Sequence, residues 1–169
     1  DTIKSRCIVY NVPDLSFGDW KNALIQENSD ISNTFSDIEF SELYEQSNKT
    51  VALALKMIEF NIFEFQKRIL ELFINKNVLD ISKFASELEE KESFDMFKNS
   101  MDIIFDNAFK LMNTDKEIIN NELYHKLIKN SDIKKIMSDY DYYNKLINDI
   151  SVYNLSKTHC INVLFNKIY

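Results

Sequence analysis

Glycine and proline are almost absent from this 169-residue sequence. Gly18 and Pro13 are its single examples, and both lie near the N-terminus. Average usage would supply several times more of each residue. Loops that cradle a phosphate or form a nucleophile elbow need glycine, and the sequence contains neither a GxGxxG motif nor a P-loop. These absences disfavour nucleotide-binding folds and favour a protein built from long helices.

Positive charge and long apolar runs are also scarce. The formal net charge is −7, whereas nucleic-acid binding needs clustered Lys and Arg. The most apolar stretch, residues 51–65, contains four polar or charged side chains and falls short of the ~20 residues that span a bilayer. We therefore expect no nucleic-acid partner and no small-molecule substrate. The chain is long enough to bury a core, and 45% of its residues are hydrophobic. We therefore expect a single domain, 1–169.

Chemically reactive side chains are few and scattered. His125 and His159 are solitary, and the carboxylates follow surface patterns, so we predict no catalytic residue, no cofactor and no metal site. Cys7 and Cys160 lie near opposite ends of the chain. They are either two buried thiols or a disulfide, because the termini of an even-numbered bundle meet at one end.

Apolar residues recur at steps of three and four, which predicts an all-α fold. We expect an irregular segment over residues 1–15 and an elongated four-helix bundle of long helices. The strongest boundary signal is the capping-box pattern at residues 114–117. The predicted helices cover residues 17–28, from 37 or 41 to 75, 80–112 with an interruption at 89–92, and 115–169 with a break near Asn130.

Four polar residues fall where an apolar residue is expected on these stripes. They are Asn61 and Glu64 in the second helix, and Asn154 and Lys157 in the last. Either the helix rotates locally and turns them outward, or they form a polar layer in the core. Such a layer would lower the stability of the bundle and allow it to open. Opening would expose apolar side chains that suit a lipid interface or another helix: Ile147, Ile150, Ile161 and Leu164.

Residues 51–60 (VALALKMIEF) and 148–153 (NDISVY), together with the heavy use of Asn, Ile and Lys, resemble the small, non-perforin, helical-bundle microneme proteins that malaria sporozoites need for cell traversal. The resemblance implies a non-enzymatic protein that is secreted from micronemes and is then extracellular. It implies an unknown protein partner or the host membrane, and a core with unusual polar content. Because the chain begins with Asp1, we expect a mature form without its signal peptide.

Two other classes remain as alternatives. An intracellular poxviral protein of the Bcl-2-like kind, which binds host signalling or apoptosis proteins, has a similar length and composition. The single tryptophan, Trp20, lies too early in the chain for that class. An exported malarial helical module is the third possibility. We expect that the protein is not an enzyme, because no acid–base pair or activated nucleophile can be identified.

Overall fold

The computed structural model describes residues 14–114, 118–129 and 131–168. Within these residues every regular element is an α-helix and no strand occurs, which confirms the predicted all-α class. The described helices are α1 (Phe17–Glu27), α2 (Ile31–Thr34), α3 (Asp37–Gln46), α4 (Val51–Glu59), α5 (Ile62–Asn75), α6 (Val78–Glu87), α7 (Lys91–Asn113), α8 (Asn121–Ile128), α9 (Ile133–Tyr153) and α10 (Lys157–Lys167). The elongated four-helix bundle is not confirmed, because the helices are more numerous and shorter.

The prediction of one continuous second helix that ends at residue 75 is wrong. It is divided into α3, α4 and α5 by residues with positive φ: Asn48 and Lys49 after α3, and Asn61 before α5. A residue in this left-handed region cannot continue a right-handed helix. The sequence does not reveal these breaks, because apolar residues continue at helical spacing on both sides of them.

Two other predicted helices are also divided. The helix predicted over 80–112 consists of α6 and α7, separated at residues 88–90 beside the acidic run where we expected an interruption. Asn77 caps α6, since its side-chain oxygen accepts hydrogen bonds from the Leu79 and Asp80 amides. The last segment is divided near residue 130, as predicted, and again at Asn154, which was not predicted. The capping-box pattern at 114–117 lies mostly outside the described residues.

The chain forms two compact units that divide between Lys56 and Met57. In the N-terminal unit, α1 extends over Phe17–Glu27, which confirms the predicted helix 17–28 to within one residue, and Ser16 caps it by accepting a hydrogen bond from the Asp19 amide at 3.2 Å. The Trp20 side chain is fully buried, with its ring centroid 5.2 Å from that of Tyr44. The predicted irregular segment lies almost entirely outside the described residues.

The C-terminal unit is built around an aromatic core. Its helix α6 packs against α10, α5 packs against α7 and α8, and α7 also contacts α8 and α9. Phe165 of α10 has its ring centroid 4.3 Å from that of Phe73 and 6.0 Å from that of Phe84. All three rings are almost completely buried. Burying a side chain of this size contributes about 1.5–3 kcal/mol, so α10 is anchored mainly by apolar packing.

Candidate functional site

The four polar residues predicted as a core layer do not form one. The Asn61, Glu64 and Asn154 side chains are exposed, and Lys157 is half-buried. Asn61 and Asn154 have φ values of 55° and 49°, so each stands at a helix boundary rather than within a helix. The apolar pattern had placed them on continuous helices, where an inward polar layer was one of the two alternatives. The turns direct them to solvent instead.

Asn61 and Glu64 nevertheless come together in one surface groove of about 430 Å³. The Glu64 carboxylate lies 3.5 Å from the Lys67 ammonium. Arg68 pairs through two hydrogen bonds with Glu87 of α6 and stacks 4.9 Å above the Phe84 ring. The groove is lined by Phe60, Asn61, Glu64, Phe65, Lys67, Arg68 and Glu71. Its lining contains two acidic and two basic side chains, so the groove has no net charge that would favour a charged ligand.

Lys157 holds the first turn of α10 against the connection between α6 and α7. Its ammonium donates a hydrogen bond to the Glu89 backbone carbonyl at 2.8 Å and lies 4.8 Å from the Phe94 ring centroid. The neighbouring Thr158 hydroxyl donates to a Glu89 carboxylate oxygen at 3.0 Å. We call these contacts of Lys157 and Thr158 with Glu89 the α10 latch. The latch consists of two hydrogen bonds that are partly exposed to solvent, and each contributes about 0.5–1.5 kcal/mol.

The turn between α9 and α10 carries the densest group of exposed apolar side chains in the described part of the chain. Val152 is 62% exposed, Tyr153 68% and Leu155 42%. We call these three residues the apolar tip. Asn154 lies between them in the left-handed conformation and ends α9. No charged residue occurs from Ile150 to Ser156, and this uncharged interval is the sequence signal that could have identified the tip.

Two tyrosines and an aspartate lie close together where α7 packs against α9. Tyr143 is buried, and its hydroxyl donates to the Lys98 carbonyl at 3.1 Å. Burial, followed by the nearby Asp102 and Tyr140, raises the pKa of Tyr143 far above its ordinary value. Partial shielding from solvent also raises the pKa of the Asp102 carboxyl. A tyrosine held protonated in this way is a structural hydrogen-bond donor, since it cannot act as a base near neutral pH.

Cys160 is a buried thiol on α10, and burial raises its pKa. Cys7 lies outside the described residues, so their proposed pairing stays a prediction. Intact mass measured with and without reductant would decide it, because a disulfide lowers the mass by two hydrogens. An unchanged mass, together with two thiols accessible to alkylation after unfolding, would contradict the pairing.

Within the described residues, no group of three or more His, Cys, Asp or Glu side chains is arranged to hold a metal ion. None of the described helices combines the length and the apolar character that crossing a bilayer requires. No protein-family model, curated protein or solved structure matches this chain.

Proposed function

We propose that this chain is a non-enzymatic protein that malaria sporozoites secrete from micronemes and need in order to traverse host cells. We further propose that it acts by contacting the host membrane and opening its helices there. The parasite origin is supported by the resemblance of residues 51–60 and 148–153. The membrane contact is supported by one observation, the exposed apolar tip at the turn between α9 and α10.

The chemistry of the tip favours lipid over a charged partner. Its side chains are two aliphatic groups and one tyrosine, which suits the boundary between headgroups and acyl chains. The interval from Ile150 to Ser156 is uncharged, and the chain carries a net charge of −7. Anionic lipid would therefore repel the protein as a whole without attracting the tip. A membrane with zwitterionic headgroups is the surface that this combination fits best.

The size of the tip limits how tightly it can bind alone. Transferring one large apolar side chain from water contributes about 1.5–3 kcal/mol, and these three are already partly shielded. Such an anchor gives weak and reversible binding. Stable insertion needs more apolar area, and the nearest supply is the buried faces of α9 and α10, which include Ile150, Ile161 and Leu164.

Opening at the α9–α10 turn would make those faces available. Asn154 is the point about which α10 would swing, and the α10 latch opposes that movement. Because α10 is anchored mainly by apolar packing, opening also requires that lipid take up the side chains that leave the core. Acidic conditions should assist, since a protonated carboxyl group costs less to bring out of water than a carboxylate as the protein approaches the lipid interface.

Vesicle co-sedimentation tests the membrane contact. The purified protein should sediment with phosphatidylcholine vesicles, more at acidic than at neutral pH, and adding phosphatidylserine should not increase binding. Replacing Val152, Tyr153 and Leu155 together with Ser should reduce the bound fraction several-fold. The matched control replaces Val78 and Leu79 with Ser, because these residues at the start of α6 are 62% and 81% exposed and lie away from the turn.

Two results would contradict the proposal. One is an equal loss of binding in the tip variant and the control variant, and the other is an absence of binding to every vesicle at every pH. In the parasite, sporozoites that carry the tip variant should cross host-cell layers less often than those that carry the control variant. Normal crossing by the tip variant would separate the tip from traversal and favour a protein partner at another surface.

A further inference from the structure

The turn between α8 and α9 carries an excess of positive charge that the proposed function leaves unexplained. Residues 125–135 contain four lysines and a single acid, Asp132, in a chain whose net charge is −7. Among the described residues, the ammonium groups of Lys126, Lys129 and Lys134 have no ion-pair partner, and all three side chains are exposed. Three unpaired cations therefore lie close together in the sequence on the surface of an acidic protein.

The position of Lys134 does not favour the stability of α9. Asp132 caps this helix by accepting a hydrogen bond from the Lys135 amide, but Lys134 and Lys135 then occupy the first turn, where the helix dipole favours acids. By contrast, α1, α3, α5, α6, α7 and α8 each have an acid in the first turn. Lys135 is compensated by the Asp139 carboxylate one turn later, whereas Lys134 is not. Helix stability therefore does not account for Lys134.

Two apolar side chains are exposed beside these lysines. Ile133 is 40% exposed and Met137 is 54% exposed. They are four positions apart, so they lie on the same face of α9. Methionine is flexible and adapts to the shape of a partner. We call the five exposed residues Lys126, Lys129, Ile133, Lys134 and Met137 the α8–α9 patch.

We infer that the α8–α9 patch binds an acidic segment of a partner protein in which carboxylates alternate with apolar residues. The carboxylates pair with the three ammonium groups, and the apolar side chains cover Ile133 and Met137. In such an interface the complementary charges select and orient the partner, while the apolar contact removes surface from water. This binding site is separate from the membrane contact proposed for the apolar tip.

The distribution of charge favours a narrow acidic segment over an anionic membrane. Exposed charges interact strongly only within a Debye length, which is about 8 Å at physiological ionic strength. A peptide segment can contact the patch alone. A membrane is a wide plane that also approaches the exposed acids around the patch, which include Glu122, Asp132 and Asp141. Asp141 follows Met137 by four positions and so lies on the same face of α9.

The patch and the apolar tip lie at opposite ends of one helix. The 21 residues of α9 span about 30 Å, from Ile133 in the patch to Tyr153 in the tip. The protein can therefore hold a partner at one end of α9 while the tip contacts a membrane at the other. Because the two surfaces share no residue, substitutions can remove either one and leave the other in place.

Fluorescence anisotropy with a labelled peptide tests the patch. The probe repeats the sequence Glu-Glu-Leu, and two control peptides replace either every Glu with Gln or every Leu with Ser. The wild-type chain should bind the probe more tightly than either control peptide, and added salt should weaken the binding. Replacing Lys126, Lys129 and Lys134 together with Gln should weaken it about tenfold, because three exposed ion pairs are lost. Replacing Ile133 and Met137 with Ser should weaken it several-fold.

The matched control variant replaces Lys56, Lys83 and Lys145 with Gln. These exposed lysines lie outside the patch, and their loss changes the net charge of the chain by the same amount. This variant should bind the probe like the wild type. Equal weakening in the two lysine variants would overturn the inference. The same holds for an absence of probe binding by the wild type, or for equal binding of the probe and the Ser-substituted peptide.

Vesicles made with phosphatidylserine decide between a protein segment and a membrane. The patch lysine variant and the wild type should sediment with them to the same extent, and a loss confined to the patch variant would overturn the choice of a protein segment. The tip variant should bind the peptide like the wild type, and the patch variant should bind phosphatidylcholine vesicles like the wild type. Failure of the proposed function and failure of this inference are therefore distinguishable.

Discussion

At the scale of single residues, asparagine performs in this chain the task that glycine usually performs at helix ends. Six described residues have positive φ, and four of them are Asn: Asn48, Asn61, Asn120 and Asn154. Asparagine tolerates the left-handed region better than other L-residues because its short polar side chain can bond locally. The scarcity of glycine therefore did not mean a scarcity of turns, and that inference from composition led to helices that were too long.

Asn154 gives the first prediction. Asn154→Ala should lower the free energy of unfolding by about 1 kcal/mol, because the left-handed region brings Cβ close to the following carbonyl oxygen and alanine tolerates this conformation less well than asparagine. Asn154→Gly should leave stability within a few tenths of a kcal/mol of the wild type. Urea unfolding of the three proteins measures both effects. An alanine variant as stable as the glycine variant would mean that the turn is not held in this conformation.

Buried polar side chains on α7 give the second prediction. Ser100 is fully buried, and its hydroxyl has no hydrogen-bond partner within the described part of the chain. Asn107, on the same helix, is also buried but donates to the Tyr124 hydroxyl at 3.3 Å. Ser100→Ala should therefore raise the free energy of unfolding by about 1 kcal/mol, whereas Asn107→Ala should lower it by about 1–3 kcal/mol.

Thermal and urea unfolding of the two variants in parallel would check these opposite signs. The comparison is internally controlled, since both substitutions replace a buried polar residue of one helix with the best helix former. Loss of stability in Ser100→Ala would show that the hydroxyl is satisfied in solution, for example by a bound water.

At the scale of helices, the Arg68–Glu87 pair joins α5 to α6. The hydrogen bonds from Arg68 hold the pKa of the Glu87 carboxyl below its ordinary value of 4.5. A carboxyl with a lowered folded-state pKa stabilises the protein above its unfolded pKa, and this contribution is lost as the pH falls through the folded-state value. Both side chains are more than one-third exposed, so solvent screening limits the contribution to about 1 kcal/mol or less.

The third prediction follows from that linkage. Glu87→Gln should be less stable than the wild type at pH 7, and the difference should shrink towards zero as the pH falls below 4.5. Urea unfolding at intervals between pH 7 and pH 3 measures the difference. The exposed Glu59→Gln is the control and should show a smaller change with pH. A gap between Glu87→Gln and the wild type that stays constant below pH 4.5 would rule out the charge pair as its cause.

At the scale of the whole molecule, the two units differ in the size of their cores. The N-terminal unit buries few large side chains, among them Trp20, Leu24, Phe40 and Leu43. The C-terminal unit contains a continuous cluster that extends through α5 to α10. Because apolar burial is the main favourable term in folding, we expect the N-terminal unit to have the smaller free energy of unfolding.

The fourth prediction uses the single tryptophan as a reporter of the smaller unit. In a urea titration, Trp20 fluorescence should change at a lower midpoint than far-UV circular dichroism, which averages over both units. Separate midpoints would mean that the units unfold separately. Coincident transitions would instead support the single domain, 1–169, that we predicted from chain length.

The sequence by itself determined the helical class, the extent of the first helix and the break near residue 130. These features depend on interactions between residues close in the chain: apolar spacing, side-chain caps and local breaks in periodicity. The same spacing also hid the breaks at Asn48, Asn61 and Asn154. When apolar residues keep the same helical spacing on both sides of a turn, the periodicity does not reveal the turn. Asparagine is so common in this chain that its presence does not indicate a turn either.

Only the tertiary structure decided which side chains reach solvent and which are buried. It turned Asn61, Glu64 and Asn154 outward and gave Lys157 a contact with Glu89, 68 positions earlier in the chain. It also exposed the apolar tip, which the sequence had assigned to a continuous last helix. Burial depends on which distant helix covers a surface, and the local sequence pattern does not identify that helix. Solvent exposure, on which the apolar tip depends, is therefore a property of the folded chain alone.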